Sequence, residues 1–308
     1  FDRDNLWTRT GSVELFARFA RVVGQALGDR ARVYTLLNEP LVFLLAGFID
    51  AQIPPGVANP RDARKALDHL LAAHVAGAQA LREVNPGVAI GVAHNMMGFA
   101  PLRRRNLFDR MLSRMAGWFY NEGLWEAFAT GKWNLFLPPA TWFRGSRPDL
   151  VGSIDFAGVN FYSRLHLRFP GRERWYGDFT YLDRSGRGLT DNGWEIVPEL
   201  LEPMLLTASS LGLPVMVTEN GLADARDQIR GQFLSDHLEA IERAALRGVS
   251  VAGYFHWSLL DNYEWLDGFG PRFGLYDLDP STLVRTARPS VRTFRDLGRR
   301  FLAGSLTP

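Results

Sequence analysis

The sequence predicts an α/β protein built on a parallel sheet, and two observations carry that reading. Short apolar runs alternate with longer stretches of helical periodicity along the chain. The runs end in polar residues, as strands do where a parallel α/β fold presents its ligand-binding face. No internal repeat or low-complexity linker interrupts the series, so 1–308 is read as a single domain.

Residues 12–27, "SVELFARFARVVGQAL", place apolar groups at helical spacing, with Ser12 as the expected N-cap. "RVYTLLNEP" (32–40) follows as a strand that stops at Asn38, Glu39 and Pro40. A second helix covers 61–83, and "GVAIGVAHN" (87–95) is the next strand. A helical stretch over about 106–130 precedes the strand "IDFAGVNFYS" (154–163). Residues 164–193 are rich in Gly, Arg and aromatics and read as a long loop. A helix over 198–211 leads into "PVMVTENG" (214–221), whose Val215, Met216 and Val217 suit a buried parallel strand. Helix 228–247 leads to "VAGYFHWSLLD" (251–261), and helix 288–302 closes the series. The crossovers are expected to be right-handed.

Composition narrows the function classes. The chain of 308 residues is 46% hydrophobic and 22% charged, an ordinary globular balance able to bury a large core. A net charge of +2 gives no strong pull toward nucleic acid. The basic stretches "LRRRN" (102–106) and "RFPGRERW" (168–175) read as solvated loops. Without cysteine there is neither a disulfide framework nor a thiolate metal site, in keeping with a cytoplasmic home. His69 and His74 lie five apart, which is not the i, i+4 zinc pattern, so no metal is expected. "GFGPRFG" (268–274) lacks the Lys-Ser/Thr of a phosphate loop, so no nucleotide cofactor is expected either. No apolar run approaches the roughly 20 residues of a membrane span, so no membrane partner is expected.

The strand ends carry the chemistry. Glu39 and Glu219 each sit beside an asparagine where an apolar run stops, and two carboxylates on neighbouring strand ends suit glycoside hydrolysis. One donates a proton to the leaving oxygen while the other attacks the anomeric carbon or activates water. A single strand-end glutamate is more simply a cap or an arginine partner; the paired pattern weakens that plain explanation.

The motifs resemble those of glycoside hydrolase family 1, the retaining β-glycosidases. "TLLNEP" is similar to the family's acid/base motif and "VTENG" to its nucleophile motif. "GVNFYSR" (158–164), "GWEIVPE" (193–199) and "GYFHWSLLDNYEWLDGFGPRFGLYDLD" (253–279) match as well, all in order and along essentially the whole chain. The resemblance implies a (β/α)8 TIM barrel with Glu219 as nucleophile and Glu39 as acid/base. By the same resemblance Asn38 bonds the sugar 2-hydroxyl, Tyr162 holds Glu219, and Asn160 lines the glycon subsite. Trp257 forms a platform under the ring, Glu264 and Trp265 bind the far hydroxyls, and Phe273 walls the pocket. Aromatic faces against a pyranose's C–H faces, with carboxylates and amides on its rim, suit these residue types. Trp118, Trp125 and Trp133 are assigned to packing.

The resemblance implies unphosphorylated β-glucosides, β-galactosides or β-fucosides as substrates. A glutamate at 39 rather than glutamine favours an O-glycosidase, and the carboxylate of Glu264 would repel a 6-phosphate. The matched motifs cover strands four to eight of the family barrel. The expectation is therefore that an N-terminal segment or a second chain completes the barrel, or that the chain is a catalytically impaired sugar-binding or structural remnant. An open arc of parallel strands leaves its edges unpaired.

Overall fold

The computed structural model describes residues 6–137, 141–174 and 176–302; Trp175, the last residue of the second basic stretch, lies outside them. Helix α1 (Ser12–Leu27) leads to strand β1 (Val33–Asn38), then to a short helix α2 (Pro40–Leu44) extended by a π-helical turn at Leu45–Ile49. Helix α3 (Pro60–Val84) returns to β2 (Ala89–Pro101). Helices α4 (Leu107–Gly117) and α5 (Gly123–Thr130) are joined by a second π-helical turn, Trp118–Glu122. An antiparallel hairpin follows, β3 (Lys132–Leu137) and β4 (Thr141–Ser146). Next come β5 (Phe156–Arg168), β6 (Asp178–Thr180), α6 (Leu201–Ser209), β7 (Val215–Asn220), α7 (Arg230–Leu246) and β8 (Val251–His256). A small hairpin, β9 (Tyr276–Leu278) with β10 (Arg285–Ala287), precedes α8 (Ser290–Leu302).

The main sheet runs β1-β2-β5-β7-β8, with β6 antiparallel to the end of β5. The β1–β2 and β7–β8 pairs are parallel, as alternating strands and helices require. The five expected strands are all present, and two are longer than the sequence predicts. Strand β2 continues past Asn95 to Pro101, and β5 continues past Ser163 to Arg168. The second extension exists because His166, Leu167 and Arg168 pair with Thr180, Phe179 and Asp178. Part of the expected loop 164–193 is therefore sheet. Ser12 is not the N-cap of α1. Gly11 occupies that position in the left-handed region, and the Ser12 hydroxyl donates to the Arg9 carbonyl instead.

The chain divides into two compact units. The first comprises 1–95, 115–158 and 208–214. Its longest helix, α3, opens on an Asn59 cap whose side chain accepts from the Arg61 N–H, with Pro60 at the first helical position. Ala20, Ala78, Leu81, Val88 and Ile90 form a buried cluster that Tyr34 and Leu36 of β1 pack against. At Gly91 of β2 a Cβ would lie 2.4 Å from the Phe156 ring, so only glycine fits this contact.

The second unit comprises 96–114, 159–207 and 215–308. Ile196, Leu222 and Phe233 form one of its buried clusters. A chain of buried ion pairs holds its loops. Glu195, fully buried, accepts from Arg164 through both oxygens and from the backbone N–H groups of Arg184 and Ser185. Burial works to raise its carboxyl, but the Arg164 and Arg184 bonds outweigh it and hold Glu195 below the usual carboxylate range. Among the described residues no helix is long and apolar enough to cross a membrane.

Candidate active site

Glu39 sits where β1 stops and α2 begins. Its backbone is left-handed, at φ 49° and ψ 51°, and the chain passes there directly from the strand into Pro40 at the first helical position. A non-glycine residue held there costs about 1–3 kcal/mol, which its surroundings must offset. They do so from β2. The Glu39 N–H donates to the Ala93 carbonyl at 2.8 Å, and Asn95 Nδ2 donates to Glu39 Oε1 at 3.0 Å. Asn38, the last residue of β1, is exposed; Glu39 is half-buried.

A β-bulge precedes Glu39. Thr35 pairs with Gly91 and Leu37 with Val92, so Leu36 is an extra residue on β1. Strand β7 carries the same kind of irregularity between Val217 and Asn220, the interval that holds Glu219. Val217 pairs with Tyr254 and Asn220 with His256, which sets three steps on β7 against two on β8. Bulges re-aim the side chains beyond them, so the tip of each strand is decoupled from the alternation that buries its base.

In the second unit Glu219 is half-buried and accepts a short hydrogen bond, 2.6 Å, from the Tyr162 hydroxyl to Oε2. Tyr162 is fixed in turn. Its ring meets Trp194 edge-on at 5.4 Å and Phe273 at 6.5 Å, within an apolar cluster that includes Ala223 and Trp257. Asn160, fully buried, accepts from the Thr218 hydroxyl at 2.6 Å, one residue before Glu219. Asn220 ties the strands together, donating to the Phe161 carbonyl and accepting from the Tyr254 hydroxyl. Gly221 closes the turn, since a Cβ there would stand 1.8 Å from the Trp257 carbonyl oxygen.

Trp257 Nε1 donates to Glu264 Oε1 at 2.9 Å, which sets the carboxylate's orientation from the indole edge. Trp265 is 76% exposed with φ 48°, whereas Phe273 is buried beneath Tyr162 and Trp194. The segment carrying Trp257, Glu264 and Phe273 is clamped by Asp261. This buried carboxylate accepts from both Arg288 guanidinium nitrogens and from the Gly274 N–H. Burial raises Asp261, but these donors, Arg288 first, hold it below the ordinary range.

The expected residues therefore form two groups. Glu39 and Asn38 belong to the first unit; Asn160, Tyr162, Glu219, Trp257, Glu264, Trp265 and Phe273 belong to the second. Sequence reasoning places Asn95 only as a polar residue at the end of its strand and gives no role to Tyr120, Trp194, Glu195, Asp261 or Arg288. His94 shares the strand with Asn95 but not its role, being buried with Nε2 donating to the Tyr120 carbonyl at 2.6 Å. Trp125 and Trp133 are core as expected, while Trp118 is 40% exposed. Among the described residues no group of three His, Cys, Asp or Glu could hold a metal ion.

The model of glycosyl hydrolase family 1 matches residues 3–300. Among curated proteins, a β-galactosidase of Pyrococcus woesei is 32% identical over 96% of this chain, and one of Sulfolobus acidocaldarius is 33% identical over 95%. The chain spans 63% and 60% of the length of these two relatives. Among solved structures, a family 1 β-glucosidase of Thermotoga maritima superposes with a TM-score of 0.85 at 29% identity, covering 96% of this chain and 69% of its own. A β-glycosidase of Pyrococcus horikoshii superposes with a TM-score of 0.83 at 30% identity, covering 95% and 66%.

Proposed function

The chain belongs to glycosyl hydrolase family 1, its sheet being part of a (β/α)8 barrel, and from that premise we propose that it is a retaining β-glycosidase. The observation that carries the reading is the 2.6 Å bond from Tyr162 to Glu219 Oε2, which fixes a half-buried carboxylate at the end of a parallel strand. A phenol donating to a carboxylate stabilises its ionised form, the form a nucleophile needs.

In the proposed reaction Glu39 gives its proton to the glycosidic oxygen as Glu219 attacks the anomeric carbon. The C–O bond to the aglycone breaks and an ester to Glu219 forms. Water then attacks that ester, giving its proton to Glu39 and returning Glu219 as carboxylate. Retention requires the two carboxyl groups about 5–5.5 Å apart. Asn38 bonds the 2-hydroxyl, and Trp257 supports the ring. Asn160, Glu264, Trp265 and Phe273 complete the glycon subsite. Glu264, oriented by the Trp257 indole, selects unphosphorylated glucosides, galactosides or fucosides. Structures of the Thermotoga maritima relative hold deoxynojirimycin and castanospermine, and the same aza-sugars are proposed to bind here. The proposal includes a cytoplasmic site of action and completion of the barrel by a preceding segment or a second chain.

One observation favours the second reading, a sugar-binding or structural remnant. The sheet is open among the described strands, and apolar side chains are exposed on β1, Val33 at 52%, and on α1, Phe19 at 60% and Val22 at 54%. An aryl β-glycoside assay decides between them. The glycosidase reading expects turnover, its loss in Glu219→Gly, and rescue of that variant by azide as a glycosyl azide. Saturable deoxynojirimycin binding without turnover by the unsubstituted chain supports the remnant.

A further inference from the structure

Asn95 is 6% exposed and lies beside His94 in the middle of a strand, β2, that is apolar on either side of the pair. A buried amide must satisfy both ends of its side chain. Its Nδ2 donates to Glu39 Oε1 at 3.0 Å, and its Oδ1 accepts from the Tyr120 hydroxyl at 3.0 Å. The polarity of the chain follows from chemistry. The Tyr120 hydroxyl donates to the Asn95 carbonyl oxygen, so the amide turns its NH2 group to Glu39 Oε1.

Tyr120 is held just as closely. It is 7% exposed, in the π-helical turn Trp118–Glu122, and its carbonyl accepts from His94 Nε2. His94 packs edge-on against Trp125 at 5.3 Å. The hydroxyl therefore sits on a backbone anchored to the residue next to Asn95. The left-handed backbone of Glu39, tied to Ala93 of the same strand, removes the remaining freedom.

We infer that Asn95, oriented by Tyr120, is a positioning residue for Glu39 that keeps Oε1 as a hydrogen-bond acceptor and assigns the transferable proton to Oε2. This rests on the proposed role of Glu39 as acid/base. A protonated carboxyl has one oxygen that carries the proton and one that only accepts. Asn95 offers a donor to Oε1, so a proton placed there would meet the amide N–H head-on. Proton delivery to the leaving oxygen then comes from one oxygen in one orientation.

The test compares aryl β-glucosides with activated (2,4-dinitrophenyl) and poor (phenyl) leaving groups, using Asn95→Ala, Tyr120→Phe and, as control, Glu39→Gln. Loss of acid positioning slows only the substrate that needs a proton. Asn95→Ala is expected to lower kcat on the phenyl substrate about tenfold or more, with the dinitrophenyl substrate within about threefold and KM little changed. Tyr120→Phe keeps the ring packing and shows the same selectivity at smaller size, so it carries the test should Asn95→Ala fail to fold. Equal slowing of both substrates, or of neither, in a folded variant overturns the inference if Glu39→Gln still discriminates between them. If Glu39→Gln does not discriminate, or the unsubstituted protein turns over neither substrate, the glycosidase reading falls and the inference with it.

Discussion

Mild acid should unfold this protein, and three histidines set the scale. His74, His94 and His237 are fully buried, and burial pushes their pKa values down from 6.5 to about 4, about 4 and about 3. His94 and His237 donate to the carbonyls of Tyr120 and Phe233, which partly opposes the shift. The unfolded chain binds protons at these rings more tightly than the folded one does. Their contribution is therefore complete above pH 6.5 and lost as pH falls toward the folded values. At pH 5 the linkage is about 2 kcal/mol for each ring, or about 6 kcal/mol for the three. A domain holds only about 5–15 kcal/mol in total. The buried carboxylates Glu195 and Asp261 have lowered values, so their contribution is lost only at lower pH, in a separate window. Urea denaturation followed by circular dichroism at pH 7, 6 and 5 should show the midpoint falling steadily. Calorimetry at pH 5 should find the protons of these three rings taken up on unfolding, and more from His166 and His256, whose values burial also lowers, to about 4 and about 3. A midpoint constant from pH 7 to 5, or no proton uptake, would refute the argument.

Two substitutions probe the frame around the strand tips. Gly221→Ala drives a Cβ against the Trp257 carbonyl and should destabilise by about 3 kcal/mol or more; an unchanged melting temperature would show that the turn yields. Asp261→Ala removes the main counter-charge of buried Arg288, leaving only Asp277, and should cost about 3 kcal/mol in chemical denaturation. A loss under about 1 kcal/mol would mean that water or Asp277 replaces Asp261.

The span of helix α1 was legible from its apolar spacing, though its cap was not: Gly11 rather than Ser12 holds that position. The two glutamates were legible because a carboxylate at the end of an apolar run is locally out of place. Partners from distant segments were not. Asn95 meets Glu39 across 56 residues of chain and Tyr120 meets Asn95 across 25; the polar pair in "GVAIGVAHN" marked a strand end, but nothing in it named these partners. The Arg164–Glu195 clamp lay hidden in a stretch whose glycines and arginines resemble a solvated loop, although Glu195 is wholly buried. The β3–β4 hairpin did leave a signal. Trp133 and Leu135 are buried while Lys132 and Asn134 are exposed, the period of a strand. The bulges at Leu36 and before Asn220 left none, since one extra residue on one strand shows only against its neighbour.

Those two inserted residues act as phase shifters. Upstream of each, the two-residue rhythm answers to the hydrophobic interior; downstream, it starts afresh and answers to whatever the strand tip must hold. The scaffold half of each strand can thus drift in sequence without turning the glutamate away. Excising Leu36 would do the opposite on β1, turning Glu39 toward the far side of the sheet, at the added cost of the contact Leu36 makes with the buried cluster of Ala20, Ala78, Leu81, Val88 and Ile90.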